Sequence, residues 1–205
     1  AGTVIGAGDL TADLLGDRAR VVARLPSIGA LVNADIATAS PYDYRATAVL
    51  DRLELARLAP FLDAVSSEIL GFASGSVTAS GRLADARDRV ALVNLTALDA
   101  GIGGVPVTLD APASLALRGD DVTLKDLNVR VGSGRLTAAG EWNTRLDGAF
   151  HGQFAGDFQD AIRLGRAFGV PASFDGSGAM TVDLRSNGSR AGTLATLTLK
   201  AGTFN

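Results

Sequence analysis

The sequence predicts an all-β protein in which long antiparallel strands form a meander that folds over into a groove, with two short helices. Apolar and polar residues alternate with a period of two over most of the 205 residues, as in strands that have one apolar and one solvated face. Turn-forming pairs such as Gly16-Asp17, Ser40-Pro41 and Gly119-Asp120 separate these runs. Hydrophobic residues make up 47% of the chain but aromatic residues only 5%, so the apolar face is predicted to be shallow and aliphatic.

The alternating runs place the strands in chain order. They cover residues 4–15, 19–25, 28–39, 42–55, 77–83, 90–98, 105–109, 113–117, 122–131, 136–142, 146–154, 172–184 and 194–204. The glycines of 101–104 and 132–134 predict further hairpin turns. The apolar spacing changes between Leu124 and Leu127, which predicts a β-bulge that bends this strand.

Two segments follow helical spacing instead. Asp157 has the position of a helix N-cap, with apolar residues at 158, 161, 162, 164 and 168 and a stop at Gly169 and Pro171. Pro60 is predicted to open the other helix, over residues 60–70.

The two helices suggest a repeat of about one hundred residues, because each precedes a strand that opens with Gly and Ser, at Gly75 and Gly176. The predicted units are residues 1–70, 71–171 and 172–205, which form one continuous body. The strand pattern runs from Val4 to Leu199, so we expect the chain to be a piece of a longer protein.

Charge and composition argue against several function classes. The net charge is −3 without a basic cluster, whereas nucleic-acid binding needs Lys and Arg on one face. The chain has no cysteine, and His151 is its only histidine, predicted to be solvated on the polar face. No combination of residues typical of a catalytic or metal site is present, so neither an enzyme nor a cofactor is expected.

The candidate binding site is the apolar side of the predicted groove, since an uncovered apolar surface is typical of a binding site. The residues predicted to line it are Val77, Ala79, Leu83, Val105, Val107, Leu109, Leu115, Leu117, Leu136, Ala138, Trp142, Leu146, Phe150, Phe154, Phe174, Met180, Val182 and Leu184.

Three segments resemble the TamB and AsmA-like family of bacterial envelope proteins: LELARLAPFL at 53–62, GSVTASGRL at 75–83, and 122–140, which runs from VTL to GSGRLTAAG. The resemblance implies a β-groove protein of the periplasm, anchored in the inner membrane by a part outside this chain. It further implies that the apolar groove carries phospholipid, or shelters unfolded strands of outer-membrane proteins, toward the outer membrane. A TamA-type outer-membrane barrel is the implied partner, and the family supplies no catalytic residue to carry over.

A second hypothesis, from a different class, is a structural or adhesive segment of a secreted β-repeat protein with a solid core. Bound lipid would distinguish the two hypotheses. Under either one, uncovered edge strands are expected to promote self-association.

Overall fold

One antiparallel sheet of thirteen strands forms the protein in the computed structural model, which describes residues 7–57, 69–143, 148–167, 176–187 and 193–204. The strands are β1 (Asp9–Leu15), β2 (Arg18–Leu25), β3 (Ala30–Ala37), β4 (Asp43–Glu54), β5 (Ile69–Arg82), β6 (Asp85–Ile102), β7 (Val105–Leu109), β8 (Ala113–Arg118), β9 (Asp121–Val131), β10 (Gly134–Asn143), β11 (Gly148–Asp157), β12 (Gly176–Asn187) and β13 (Thr193–Phe204). The predicted all-β meander is confirmed.

Strands β7 and β8 fill a single place in the order of the sheet. Strand β6 pairs with β8 through Val90–Leu95 and with β7 through Asp99–Ile102, and β9 pairs with the same two strands from the other side. Residues 110–112, which include Pro112, separate the two strands. Pro112 cannot donate a ladder hydrogen bond, so it interrupts this strand between its two neighbours.

Several strand boundaries differ from the prediction. Strand β6 extends beyond the predicted 90–98 at both ends, because Asp85 pairs with Arg82 and Ile102 pairs with Ile69. Ile28 belongs to a 3₁₀ turn, Pro26–Ile28, before β3. Ile69 and Leu70, predicted to end a helix, instead begin β5, where pairing with β6 overrides the local helical spacing. Residues 58–68, the rest of that predicted helix, lie outside the described residues.

Other predictions also fall partly outside the described ranges. These are the starts of the strands predicted at 4–15, 146–154 and 172–184, and the helix stop at Gly169 and Pro171. The boundary predicted after residue 70 falls within β5, and the sheet runs through it without a break. The division into repeats therefore stays a prediction.

The helix predicted after Asp157 is confirmed as α1 (Phe158–Ala167). The Gln159 amide donates to Asp157 Oδ1 over 2.7 Å, which satisfies one of the free amides at the start of the helix. Asp160 accepts from the Ser133 amide over 3.1 Å, which ties α1 to the turn between β9 and β10. Gly132 has φ +58 and lies against the Asp160 carboxylate, so only glycine fits this turn without strain.

The cap gives a direct stability prediction. Asp157→Ala is expected to lower the free energy of unfolding by about 1 kcal/mol, because it removes the side-chain acceptor of the Gln159 amide at the helix start. Asp157→Asn keeps an acceptor oxygen and should retain most of the stability. Urea unfolding followed by circular dichroism measures both variants. Equal stability of Asp157→Ala and the parent chain would contradict this role of the cap.

Most strand irregularities of β4 to β10 line up in one row, which we call the bend line, whereas those at Ser80–Arg82 and Gly178–Ala179 lie elsewhere. It comprises residues 51–52 in β4, 74–75 in β5, 96 in β6, the break at 110–112, 125–126 in β9 and 139 in β10. The bulge predicted between Leu124 and Leu127 is one of these, and Asp126 has φ +47 there. A bulge bends its strand and increases its twist. A row of them therefore divides the sheet into two halves.

We name the two halves by what lies at their strand ends. The helix end contains Ile102, Val105, Val131, Gly134 and α1, whereas at the open end the strands finish at Arg82, Arg118, Asp121 and Asn143.

Candidate binding face

Strand register places the apolar residues of successive strands on one side of the sheet, which we call the apolar face. Leu117 pairs with both Ala91 and Val122, and Val122 pairs with Trp142. The same alignment continues through β4, β3 and β2 to Leu10, Ala12 and Leu14 of β1. Because side chains alternate along each strand, these pairings unite most of the apolar residues of β1 to β12 on a single surface.

Fifteen of the predicted lining residues share this face by register. They are Val77, Ala79, Val105, Val107, Leu109, Leu115, Leu117, Leu136, Ala138, Trp142, Phe150, Phe154, Met180, Val182 and Leu184. Leu146 and Phe174 lie outside the described residues.

Leu83 was predicted to continue the strand and is a correction. It lies in the turn between β5 and β6 and is 53% exposed. Arg82 already pairs with Asp85, so the chain reverses one residue before the alternation would place Leu83 on the face.

At the helix end the apolar face is a packed core. Val105 and Val131 are 0% and 1% exposed, and Phe154 and Met180 are buried beside them. Helix α1 covers this part with Phe158 and Ile162, and Leu55 from the 3₁₀ turn Leu55–Arg57 also packs there. The predicted lining residues Val105, Val107, Ala138, Phe154 and Met180 are therefore buried in a closed core.

Beyond the bend line the apolar face is less covered. Leu115, Leu117, Trp142 and Phe150 are half-buried. Leu10 and Leu14 of β1 are 71% and 74% exposed. Leu184 of β12, which aligns through Gly152 with Ala138 at the bend line, is 40% exposed. The helix end and the open end thus carry the same kind of side chain in very different degrees of burial.

Aromatic rings fill the places left by glycines on this face. The Phe150 ring lies so close to Gly140 and Gly152 that an added Cβ at either would be 3.1 Å from a ring carbon. Phe154 lies in the same way beside Gly134 and Gly156. Trp142 meets Phe150 edge to face with ring centroids 5.9 Å apart. Rings that lie over glycines cover the sheet while adding little depth, which suits a shallow apolar surface.

Several residues of the face were not among the predicted lining. Ala91, Val93, Leu95, Val122 and Leu124 share it at the open end, and Ala100, Ile102, Leu127, Val129 and Val131 share it at the helix end. Their alternation was already visible in the predicted strands 90–98 and 122–131. Cross-strand register was the missing information.

The opposite side of the sheet, the outer face, carries the ion pairs, and by register it also includes the exposed apolar residues Leu31, Val49, Leu70, Phe72, Val90 and Leu92. Arg130 of β9 and Arg135 of β10 are paired across the two strands. Asp110 accepts a hydrogen bond from Arg130 over 2.8 Å and lies 3.1 Å from Arg135. Its negative charge therefore offsets the repulsion between the two arginines. Arg82 bonds Asp88 over 2.7 Å, which raises the pKa of Arg82.

His151 lies exposed on the outer face, which confirms the prediction for this residue. Its Nε2 is 3.5 Å from Asp183, and Arg185 Nε donates to Asp183 over 2.9 Å. The hydrogen bond from Arg185, followed by that from His151, lowers the pKa of Asp183. These groups form an exposed ion-pair cluster, which stabilises folded proteins only weakly.

The outer face also has shallow cavities. One of about 730 Å³ is lined largely by residues whose register assigns them to this face, including Val90, Leu92, Ala116, Arg118 and Thr123. Another of about 820 Å³ contains the ion pair of Arg18 and Asp35. In the described ranges, no three His, Asp or Glu side chains are grouped as metal ligands would be. No helix of the described residues is both long and apolar enough to cross a membrane.

Comparison with known proteins places the chain in no group: no family model, no curated protein and no solved structure matches it.

Proposed function

We propose that this chain is a segment of a periplasmic envelope protein that binds the acyl chains of phospholipids on its apolar face and carries them toward the outer membrane. The observation that carries the proposal is the continuity of this face across β1 to β12, with half-buried leucines and aromatic residues at the open end. A continuous, partly uncovered apolar surface is typical of a binding site. The same surface suits the unfolded strands of outer-membrane proteins as an alternative cargo.

The chemistry of the face agrees with an apolar cargo. Its open half consists of aliphatic and aromatic side chains, and no buried polar or charged residue occurs among the described residues. Acyl chains gain free energy from leaving water for such a surface, at about 0.8 kcal/mol per buried CH₂. No reacting group is needed for this role, so the proposed function is not enzymatic.

The second candidate is the structural or adhesive segment of a secreted β-repeat protein. The packed core under α1 favours it, since Val105 and Val131 are fully buried and leave no space for cargo. The lipid-carrying candidate therefore requires bound lipid on the open half of the apolar face, whereas the structural candidate requires none.

Solvent extraction of the purified chain distinguishes them. A lipid-carrying segment is expected to release phospholipid or fatty acid in a reproducible ratio to protein when the extract is analysed by mass spectrometry. Release of no lipid, together with failure to take up added phospholipid, would contradict the proposal and favour the structural role.

We further propose self-association through the edge of β1. In the part of the chain that the structure describes, β1 pairs with β2 alone, and its leucines are exposed. Asp9 and Asp13 are the charged residues of this edge, which has neither Lys nor Pro, so its protection against pairing with another strand is limited. Light scattering should show a mass that rises with concentration, and Leu14→Lys should reduce this rise. A monomer at all concentrations would contradict it.

A further inference from the structure

Helix α1 occupies the apolar face in the way that a bound ligand would. It lies on the same side of the sheet as the proposed cargo, where Phe158 belongs to the buried cluster of Val105, Val131 and Phe154 and Ile162 packs against that cluster. It is fixed at both ends of its length. Asp160 accepts from the Ser133 amide, and Arg163 and Ala167 lie against Gly103 in the turn between β6 and β7.

The two ends of the strands both carry charged residues, since α1 brings Asp160 and Arg163 beside the turns of the helix end, but only the helix end is covered on the apolar face. At the helix end the hairpin turns are Gly103-Gly104 and Gly132-Ser133. At the open end the turn at 83–84 lies between Arg82 and Asp85, and the turn at 119–120 lies between Arg118 and Asp121. A charged or zwitterionic head group stays hydrated at the uncovered open end, whereas transfer to an apolar core without partners costs free energy.

We propose that α1 is a built-in stop that gives the apolar face a fixed polarity for an amphiphile. The acyl chain lies on the open half, its terminal methyl group points toward Leu136 and Phe154, and its head group lies past Trp142, beyond the open end. The inference rests on the proposed binding of acyl chains and adds the orientation of the ligand and the residues that end its path.

Distances along the strands fit a short apolar path. Trp142 and Ala138 are four residues apart in β10, and Ala138 is the first residue of this row that is buried. Four residues of a strand span about 13 Å. A chain aligned with the strands therefore meets the packed side chains of Leu136 and Phe154 within this distance, and the rest of a longer amphiphile, with its head group, extends past the open end into water.

The single tryptophan provides the test, because Trp142 lies at the open end. The probes are two stearic acids, one with a nitroxide near the carboxyl group and one with a nitroxide near the terminal methyl group. We expect the first to quench Trp142 fluorescence at least twofold more strongly than the second at equal bound amounts.

A second variant places the tryptophan at the other end of the proposed acyl-chain path. In Trp142→Phe/Leu136→Trp the tryptophan lies across β10 from Phe154, on the far side of the bend line. The order of quenching should reverse, with the nitroxide near the methyl group more effective. Circular dichroism confirms that the variant is folded, and the wild-type measurement does not depend on it.

The outcomes separate the orientation from the proposed function. Quenching of wild-type Trp142 that is equal for the two probes, or stronger from the methyl-group position, would overturn the orientation while leaving acyl-chain binding intact. Absence of quenching by either probe, with no bound stearic acid, would overturn both.

Crosslinking tests the stop itself. Gly103→Cys/Ala167→Cys would join α1 to the β6–β7 turn after a small shift, since an added Cβ at Gly103 lies 3.1 Å from the Ala167 Cβ, slightly closer than the about 3.5–4.5 Å of a disulfide. Gly103 has φ +57, so circular dichroism must first show that the reduced variant is folded. The chain contains no other cysteine. Because the ligand enters from the open end, the oxidised and reduced forms should bind equal amounts of stearic acid. A severalfold loss of binding on oxidation would show that α1 must move, and would overturn its role as a fixed stop.

Discussion

Val107→Asp is expected to abolish folding. Val107 is 5% exposed and belongs to the core under α1, where no polar partner is available among its apolar neighbours. A carboxylate there must lose its hydration or take up a proton, and either outcome is costly. We expect a loss of more than about 4 kcal/mol, an exceptional value for one substitution. This is a large part of the about 5–15 kcal/mol that holds a typical domain folded.

Thr108→Asp is the matched control. Thr108 is the next residue on β7, lies on the outer face and pairs with Arg130. A carboxylate there has Arg130 of β9 on one side and Asp99 of β6 on the other, so attraction and repulsion largely offset each other and we expect a change within about 1 kcal/mol. Urea unfolding measures both variants. A stably folded Val107→Asp would show that the helix end is not the packed core described above.

Leu115→Asp is expected to abolish lipid binding while leaving the chain folded. Leu115 lies on the open half of the apolar face, paired with Val93 and Leu124, and is only half-buried. Its carboxylate can keep water in the absence of cargo, so the cost to folding should be about 1–3 kcal/mol. A bound acyl chain would have to displace that water. We therefore expect at least a tenfold reduction in bound lipid.

Ser114→Asp controls for the added charge. Ser114 precedes Leu115 on the outer face and pairs with Lys125 across to β9, so an aspartate there meets an opposite charge. Retention of a fluorescent fatty acid during gel filtration compares the two variants, after circular dichroism has verified folding. Equal retention by both would show that the acyl chain does not pass Leu115.

Much of the fold could be predicted because it depends on local alternation. The apolar residues at 105, 107 and 109, and those at 136 and 138, predicted both the strands and the side of the sheet on which they lie. Helix α1 was predictable for the same reason, since Asp157 and Gln159 form its cap through a contact two residues apart.

The bend line could have been found more fully. The change of spacing that revealed the bulge at Leu124 and Leu127 also occurs between Leu50 and Leu53 and between Leu95 and Leu98. Their alignment into one row depends on cross-strand register, which the sequence does not specify by itself. The sequence of the break at Asp110–Pro112 likewise does not indicate that β7 and β8 both pair with β6 and so occupy the same position in the strand order.

The division of the apolar face into a closed and an open half could not be predicted. It depends on where α1 packs, through contacts such as that between Asp160 and Ser133, which join segments far apart in sequence. The alternation around Val105 is the same as that around Leu115, yet one is buried in a core and the other half-exposed. Sequence pattern predicts which side of a strand is apolar, but tertiary packing decides what covers it.

Native mass spectrometry of the delipidated chain, titrated with a phospholipid, tests the proposed binding most directly. The open half of the apolar face predicts protein–phospholipid complexes that survive in the wild type and in Ser114→Asp and are lost in Leu115→Asp. Complexes absent from the folded wild type at every lipid concentration, or present equally in all three proteins, would contradict acyl-chain binding on this face.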